Sequence, residues 1–299
     1  MNSLPRLASG ALLLASLTLP HSTKAAVRAE CISVKSKILA RSVPYCVLLP
    51  PSYDAEKTRH YPVLYLLHGL GDDEQMLIHS GGMNLIQDLW ERNQIGEFLI
   101  VTPAAGASFY INSRDGKQRY QDFLLQEFLP AVGKRYRIQP GRKYRGIAGI
   151  SMGGYGALHL AFAHPALFGS VGAHSAALIE NLPALKMGDS RQSARLRILG
   201  GAFGVPFDPA FWKQNDPITI AGSAKLVGLK IYFDCGSEDD YGFETGAQGL
   251  DKLLTSRRIA HEFHLYPGGH NWTYVAEHLP ALLQFHFHAF EPTSSRPNY

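Results

Sequence analysis

The stretch Gly149-Ile150-Ser151-Met152-Gly153 follows directly on the run Tyr144-Arg145-Gly146-Ile147-Ala148 and runs into Gly154-Tyr155-Gly156-Ala157. The first run reads as a strand and the small-residue segment as the start of a helix pressed close to a sheet. The G-x-S-x-G pattern therefore falls on a strand-to-helix turn, the setting in which it carries chemistry. A serine at that turn presents its hydroxyl clear of the backbone, and glycines flank it because a side chain would clash where the chain folds back. The five-residue pattern by itself is weakly specific; the rest of the chain has to supply its meaning.

Working outward, short apolar β-branched runs alternate with helical patterns, which predicts βα units around a mostly parallel sheet. Strands are expected at 30–39, 44–49, 63–68, 97–102, 144–149, 169–174, 229–235 and 261–266, the first two joined by a short turn and hence antiparallel. Helices are expected at 84–93, 119–136, 153–163, 242–258 and 274–290, with Pro130 and Pro280 kinking or restarting theirs. The connection from Ser175 to Gly228 is long and rich in glycine, proline and aromatics, so it should hold short helices. Its position between two core strands suggests a cap over the face where the serine sits.

The chain of 299 residues is 45% hydrophobic and 18% charged, with no charge run, low-complexity tract or internal repeat. Residues 1–26 read as a signal peptide: Arg6 precedes the apolar run Ala11 to Leu19, and Thr23-Lys24-Ala25 places a cut near Ala25 or Ala26. The run is too short to span a bilayer. Residues 27–299 then form one domain, exported to the periplasm or the outside. The formal charge of +4 drops further when Arg6 and Lys24 are removed, too small an excess to argue for nucleic acid or a membrane surface. Export permits a disulfide, and the three cysteines leave at least one thiol free. Cys31 and Cys46 flank the expected hairpin but are not obviously opposite one another, so the reading disfavours a bridge between them; Cys235 is expected as a buried, inert thiol.

Ligands of open α/β sheets bind beyond the carboxyl ends of the strands, so functional residues should follow strands on that edge. Ser151 follows the fifth strand. After the seventh comes Gly236-Ser237-Glu238-Asp239-Asp240, and after the eighth Tyr266-Pro267-Gly268-Gly269-His270. A serine hydroxyl needs a base within hydrogen-bond reach, a role open to His270, and an acid to hold that imidazole in the right tautomer. Asp239 is best placed to reach over the edge; Asp240, Glu238 and Asp234 are the alternatives. Developing negative charge on a carbonyl would need two backbone N–H donors, expected at Met152 and at Leu70 in the segment Leu66-Leu67-His68-Gly69-Leu70-Gly71. His68 reads as a packed, hydrogen-bonded support.

These segments resemble the esterase D family of serine esterases within the α/β-hydrolases, which includes S-formylglutathione hydrolases, feruloyl and acetyl-xylan esterases, enterochelin-esterase-like proteins and the antigen 85 mycolyltransferases. The resemblance rests on Tyr61 to Gly69, Asp122 to Tyr136, Gly149 to Ala157, His164-Pro165-Ala166-Leu167-Phe168 and Pro267 to His270. It implies an α/β-hydrolase fold with an eight-stranded, mostly parallel sheet and an insertion between strands six and seven. It implies a triad of Ser151, Asp239 and His270, no metal and no organic cofactor, and a small-molecule or carbohydrate-linked ester as substrate. Transfer of the acyl group to a sugar or other alcohol is the second enzymatic expectation. S-formylglutathione hydrolysis is disfavoured by the export signal, and a catalytically dead binding fold by the intact set of groups.

Thirteen histidines raise the question of metal. His286 and His288 are two apart on a helix, and His261 and His264 three apart on a strand, so neither pair shares a face, and neither has zinc-site spacing. Phe207 and Phe211 read as the insertion's own core. Tyr110 and Trp212 are candidates for a substrate wall, and Arg114 and Asp115 for a solvated loop pair.

Overall fold

The computed structural model describes residues 27–179 and 199–291. Eight strands form one sheet in the order β1-β2-β4-β3-β5-β6-β7-β8. These are β1 (Arg28–Ser36), β2 (Arg41–Leu49), β3 (Val63–Leu67), β4 (Leu99–Pro103), β5 (Arg145–Ile150), β6 (Ser170–His174), β7 (Lys230–Gly236) and β8 (Glu262–Tyr266). β1 and β2 form an antiparallel hairpin, β2 runs antiparallel to β4, and every later pair is parallel.

All five residues of β3 are buried, as a strand covered by helices on both faces requires. Alternation sorts its side chains. Leu64 and Leu66 join Leu48, Ile100, Ala148 and Ile150 against α2 (Gly82–Glu91) and α9 (Trp272–Phe290). Val63, Tyr65 and Leu67 join the opposite core with residues of α5 (Met152–Ala163) and α8 (Phe243–Ser256). α5 is buried on every side along almost its whole length, which explains its lack of a polar face. A single helical turn, α1 (Met76–His79), precedes α2. The result is the α/β-hydrolase architecture.

Three expectations are modified. The helix expected over 119–136 is divided into α3 (Tyr120–Phe123), a π turn (Leu124–Phe128) and α4 (Leu129–Arg135). Pro130 follows closely on the π turn in a helix that continues without a break, a place where its missing N–H interrupts the regular ladder. Pro280 lies inside α9, which continues to Phe290. Cys31 and Cys46 are directly paired across the β1–β2 ladder, their Cα atoms 4.1 Å apart, and are joined by a disulfide. The sequence reading missed this because it started β1 two residues late and β2 three residues late, so the hairpin register was out of reach. Cys235 is free and buried, as expected.

The long connection does contain short helices, α6 (Pro209–Asn215) and α7 (Pro217–Ala221). Each begins with an aspartate, Asp208 or Asp216, that accepts a backbone N–H in its first turn, followed by a proline at the start. The described part packs on the flank of α5: Tyr155 donates its hydroxyl to the carbonyl of Asn215 at 2.8 Å. The expected signal peptide and the middle of the connection, residues 180–198, lie outside the described residues. Among the described residues no helix is long and apolar enough to cross a membrane.

Candidate active site

Ser151 stands between β5 and α5 with φ 55° and ψ −115°, a conformation that β-carbon-bearing residues rarely adopt. The turn is held from both sides. Its N–H donates to the carbonyl of His174 at the end of β6 (2.9 Å), and its carbonyl accepts from Tyr155 and Ala177 (3.0 Å each). A Cβ on Gly149 would sit inside the backbone of Gly153, and one on Gly153 inside the carbonyl of Leu67. The two glycines are therefore a steric condition of the turn.

Three side chains that the sequence places on separate strand ends meet here. His270 Nε2 lies 3.0 Å from Ser151 Oγ, and its Nδ1 lies 2.7 Å from Asp239 Oδ2. The other carboxylate oxygen of Asp239 accepts the N–H of Tyr241 at 2.9 Å. Burial raises the Asp239 pKa, but His270 and the backbone N–H groups of Tyr241 and Phe243 outweigh it and hold the carboxyl below its usual value. It is thus an anion aimed at an imidazole that is aimed at a hydroxyl, an arrangement able to withdraw the serine proton.

The loop after β3 borders the serine. A Cβ on Gly69 would lie 3.6 Å from both the Ser151 Cβ and the Ile150 carbonyl, so this loop runs close to the serine. Met152, the first residue of α5, has an N–H with no carbonyl ahead of it in the helix. His68 is fully buried and joins two loops: Nε2 accepts the N–H of Ala105 (2.9 Å), so Nδ1 carries the proton donated to the Gly69 carbonyl (2.7 Å). Burial pushes its pKa down, consistent with a neutral support.

Tyr110 and Trp212 are corrected. Tyr110 has no exposed surface; its hydroxyl donates to the His68 carbonyl and its ring packs edge-on to Tyr120. Trp212 is 3% exposed, in ring contact with Phe203, Tyr155 and Phe207. Both are covered where the described part of the insertion packs onto α5 and the loop after β4. Arg114 pairs with Asp208 of the insertion at 2.6 Å, while Asp115 binds Ser113 and Lys117. An aromatic surface beside His270 was missed: Tyr241, 54% exposed, meets the His270 ring edge-on at 4.8 Å, with Phe243 at 5.4 Å. Their place directly after Asp239 was the available signal.

The model of the Esterase family matches residues 36–286. The chain belongs to this family. The esterase Rv1288 of Mycobacterium tuberculosis is 31% identical over 242 residues, 75% of this chain and 51% of that protein. The chain thus spans about half the length of that relative. The diacylglycerol acyltransferase/mycolyltransferase Ag85A of Mycobacterium leprae is 28% identical, with 75% of each chain covered. Among solved structures, a ferulic acid esterase superposes with a TM-score of 0.75 at 26% identity, covering 89% of this chain and 99% of the other. An S-formylglutathione hydrolase from Agrobacterium tumefaciens, at 18% identity and a TM-score of 0.71 over 90% and 98%, shares the fold.

Proposed function

We propose that this member of the Esterase family is an exported serine hydrolase of carboxylic esters that works through an acyl-Ser151 intermediate. The observation that carries the reading is the continuous contact from Asp239 through His270 to Ser151 Oγ, on a strained strand-to-helix turn. In the first step His270 Nε2 takes the Ser151 proton as Oγ bonds to the ester carbonyl carbon. The N–H groups of Met152 and Leu70 receive the oxyanion. Collapse breaks the bond to the alcohol oxygen, which leaves with the proton from His270. Water then enters, loses a proton to His270 and releases the acid from Ser151 by the same sequence in reverse. Asp239 stays ionised and stabilises the imidazolium at each step.

Export is supported by the leader-like residues 1–26 and by the Cys31–Cys46 disulfide, a bond that persists in oxidising compartments. Acyl transfer is the second reading, favoured by the mycolyltransferase relative: an alcohol would take the place of water at the acyl-enzyme. Tyr241 and Phe243 beside His270 suit a substrate with an aromatic or sugar ring near the scissile bond. The test is Ser151→Ala with p-nitrophenyl acetate and a fluorophosphonate probe. Turnover should fall by about three orders of magnitude or more and labelling should vanish; turnover within tenfold of wild type would remove Ser151 from the chemistry.

A further inference from the structure

Asp234, weighed above as an alternative acid, has a histidine of its own. It lies within β7, and its Oδ2 is 2.6 Å from Nδ1 of His174 on β6, a close contact between wholly buried side chains that is not aligned as a hydrogen bond. Its Oδ1 accepts the hydroxyl of Tyr274 at 2.7 Å. Burial and the neighbouring carboxylate push the Tyr274 phenol well above its usual pKa, so it remains a donor. This second acid–histidine pair has no path to the Ser151 hydroxyl, since the imidazole facing that hydroxyl is His270.

Each of the three residues is nevertheless joined to one part of the reacting set. The His174 carbonyl accepts the Ser151 N–H, and the Asp234 carbonyl accepts the N–H of Ser175, the next residue after β6. β7 continues from Asp234 into the turn that carries Asp239. Tyr274 lies in the first turn of α9, four residues after His270, where its N–H is capped by Asn271 Oδ1 at 3.0 Å. Its ring backs the loop that carries His270: a Cβ on Gly268 would come within 2.9 Å of Tyr274 Cδ2. One buried carboxylate therefore touches the strand end under the serine, stands on the strand leading to the acid and is hydrogen-bonded to the helix start behind the base.

We propose that Asp234, with Tyr274 and His174, is a positioning array that sets the His270 imidazole between Ser151 and Asp239. The proposal rests on the triad reading above. The Tyr274 hydroxyl is the side-chain hydrogen bond of this buried carboxylate, so a shift of α9 against β7 would leave the carboxylate without it. An apolar contact at the same place would tolerate sliding. The chemistry does not tolerate it, since displacement of a reacting group by about 1 Å can cost on the order of 100-fold in rate.

The test is Tyr274→Phe in the full chain, which removes one oxygen and leaves the ring. Active sites are titrated to completion with a fluorophosphonate, and kcat per titrated site and KM are measured with p-nitrophenyl acetate well below the melting temperature. The expected result is a full titre, KM within about twofold of wild type, and kcat per site lower by roughly tenfold or more. A kcat per site equal to wild type, whatever happens to the melting temperature, overturns the proposal and leaves the array as packing. If Tyr274→Phe does not fold, Asp234→Asn, of the same shape, is read by the same criterion. Ser151→Ala separates the two levels: an active Ser151→Ala enzyme refutes the triad reading itself, whereas an inactive one beside a fully active Tyr274→Phe enzyme refutes only the positioning role.

Discussion

Replacing Asp239 by asparagine changes one atom, and the surroundings dictate which way the amide turns. One carboxylate oxygen of Asp239 receives the N–H of Tyr241 at 2.9 Å, and Phe243 N–H also points at the carboxylate. The other receives His270 at 2.7 Å. An asparagine that keeps its oxygen on the backbone donors must turn its NH2 toward His270 Nδ1. The imidazole can then only accept at Nδ1, so its proton moves to Nε2, 3.0 Å from Ser151 Oγ, and the base is lost. The opposite orientation sets the NH2 against the Tyr241 N–H in a buried site, two donors with no acceptor between them. We expect Asp239→Asn to lower kcat by about 10⁴, as wrong-tautomer variants of other triads do, or about 5.4 kcal/mol at 1.36 kcal/mol per decade. The measurement is p-nitrophenyl acetate turnover at pH 7 per folded molecule, with Asp240→Asn in parallel. Asp240 Oδ2 accepts the backbone N–H of His270 at 3.1 Å, a role an asparagine oxygen can fill, so that variant should stay within tenfold. An Asp239→Asn enzyme within tenfold of wild type, or a reversed ranking of the two, would refute the tautomer argument.

Trp212→Ala should act on stability rather than on substrate choice, because the ring is 3% exposed and its centroid lies 4.6 Å from that of Phe203. A cost of about 3–5 kcal/mol is expected, seen as a fall in Tm of roughly 6–10 °C at about 2 °C per kcal/mol for a domain of this size. An unchanged Tm with a reordered preference among acyl chain lengths would contradict it. Stability should also fall in acid. Burial, reinforced by His174, lowers the His286 pKa to about 3, whereas an unfolded histidine titrates near about 6.5. Between those values the unfolded chain binds a proton that the folded chain refuses, so stability present above about pH 6.5 is lost as pH falls, at about 1.4 kcal/mol per pH unit for this one group. His286→Gln should flatten the dependence of the urea midpoint on pH between about 6 and 4.5; an unaltered slope would assign the acid sensitivity elsewhere.

Much of this molecule is written locally. The run from Tyr144 to Ala157 is enough to place Ser151 on a strand-to-helix turn; Gly149 is required by the backbone of Gly153 within that turn, and Gly153 by the carbonyl of Leu67 on the neighbouring strand. Eight apolar runs separated by turn signals yield the strands to within three residues at each end, because burial on both faces leaves few other patterns open. The order serine, acid, histidine follows from counting those strands, and the family resemblance rests on the same segments. Register and docking were beyond local reach. Whether Cys31 meets Cys46 turns on a shift of single residues in a hairpin, where one step moves each side chain to the other face. Tyr110 and Trp212 look the same in sequence whether they line a cleft or fill a core. Only the packing of α6 and the 109–114 loop on α5 decides that they are covered and that Tyr241 is exposed beside His270. The same holds for Asp234 and Asp239, five residues apart on one strand and its turn. Both are carboxylates facing a histidine, and only the placement of the loop before α9 beside the β5–α5 turn determines which imidazole reaches the serine.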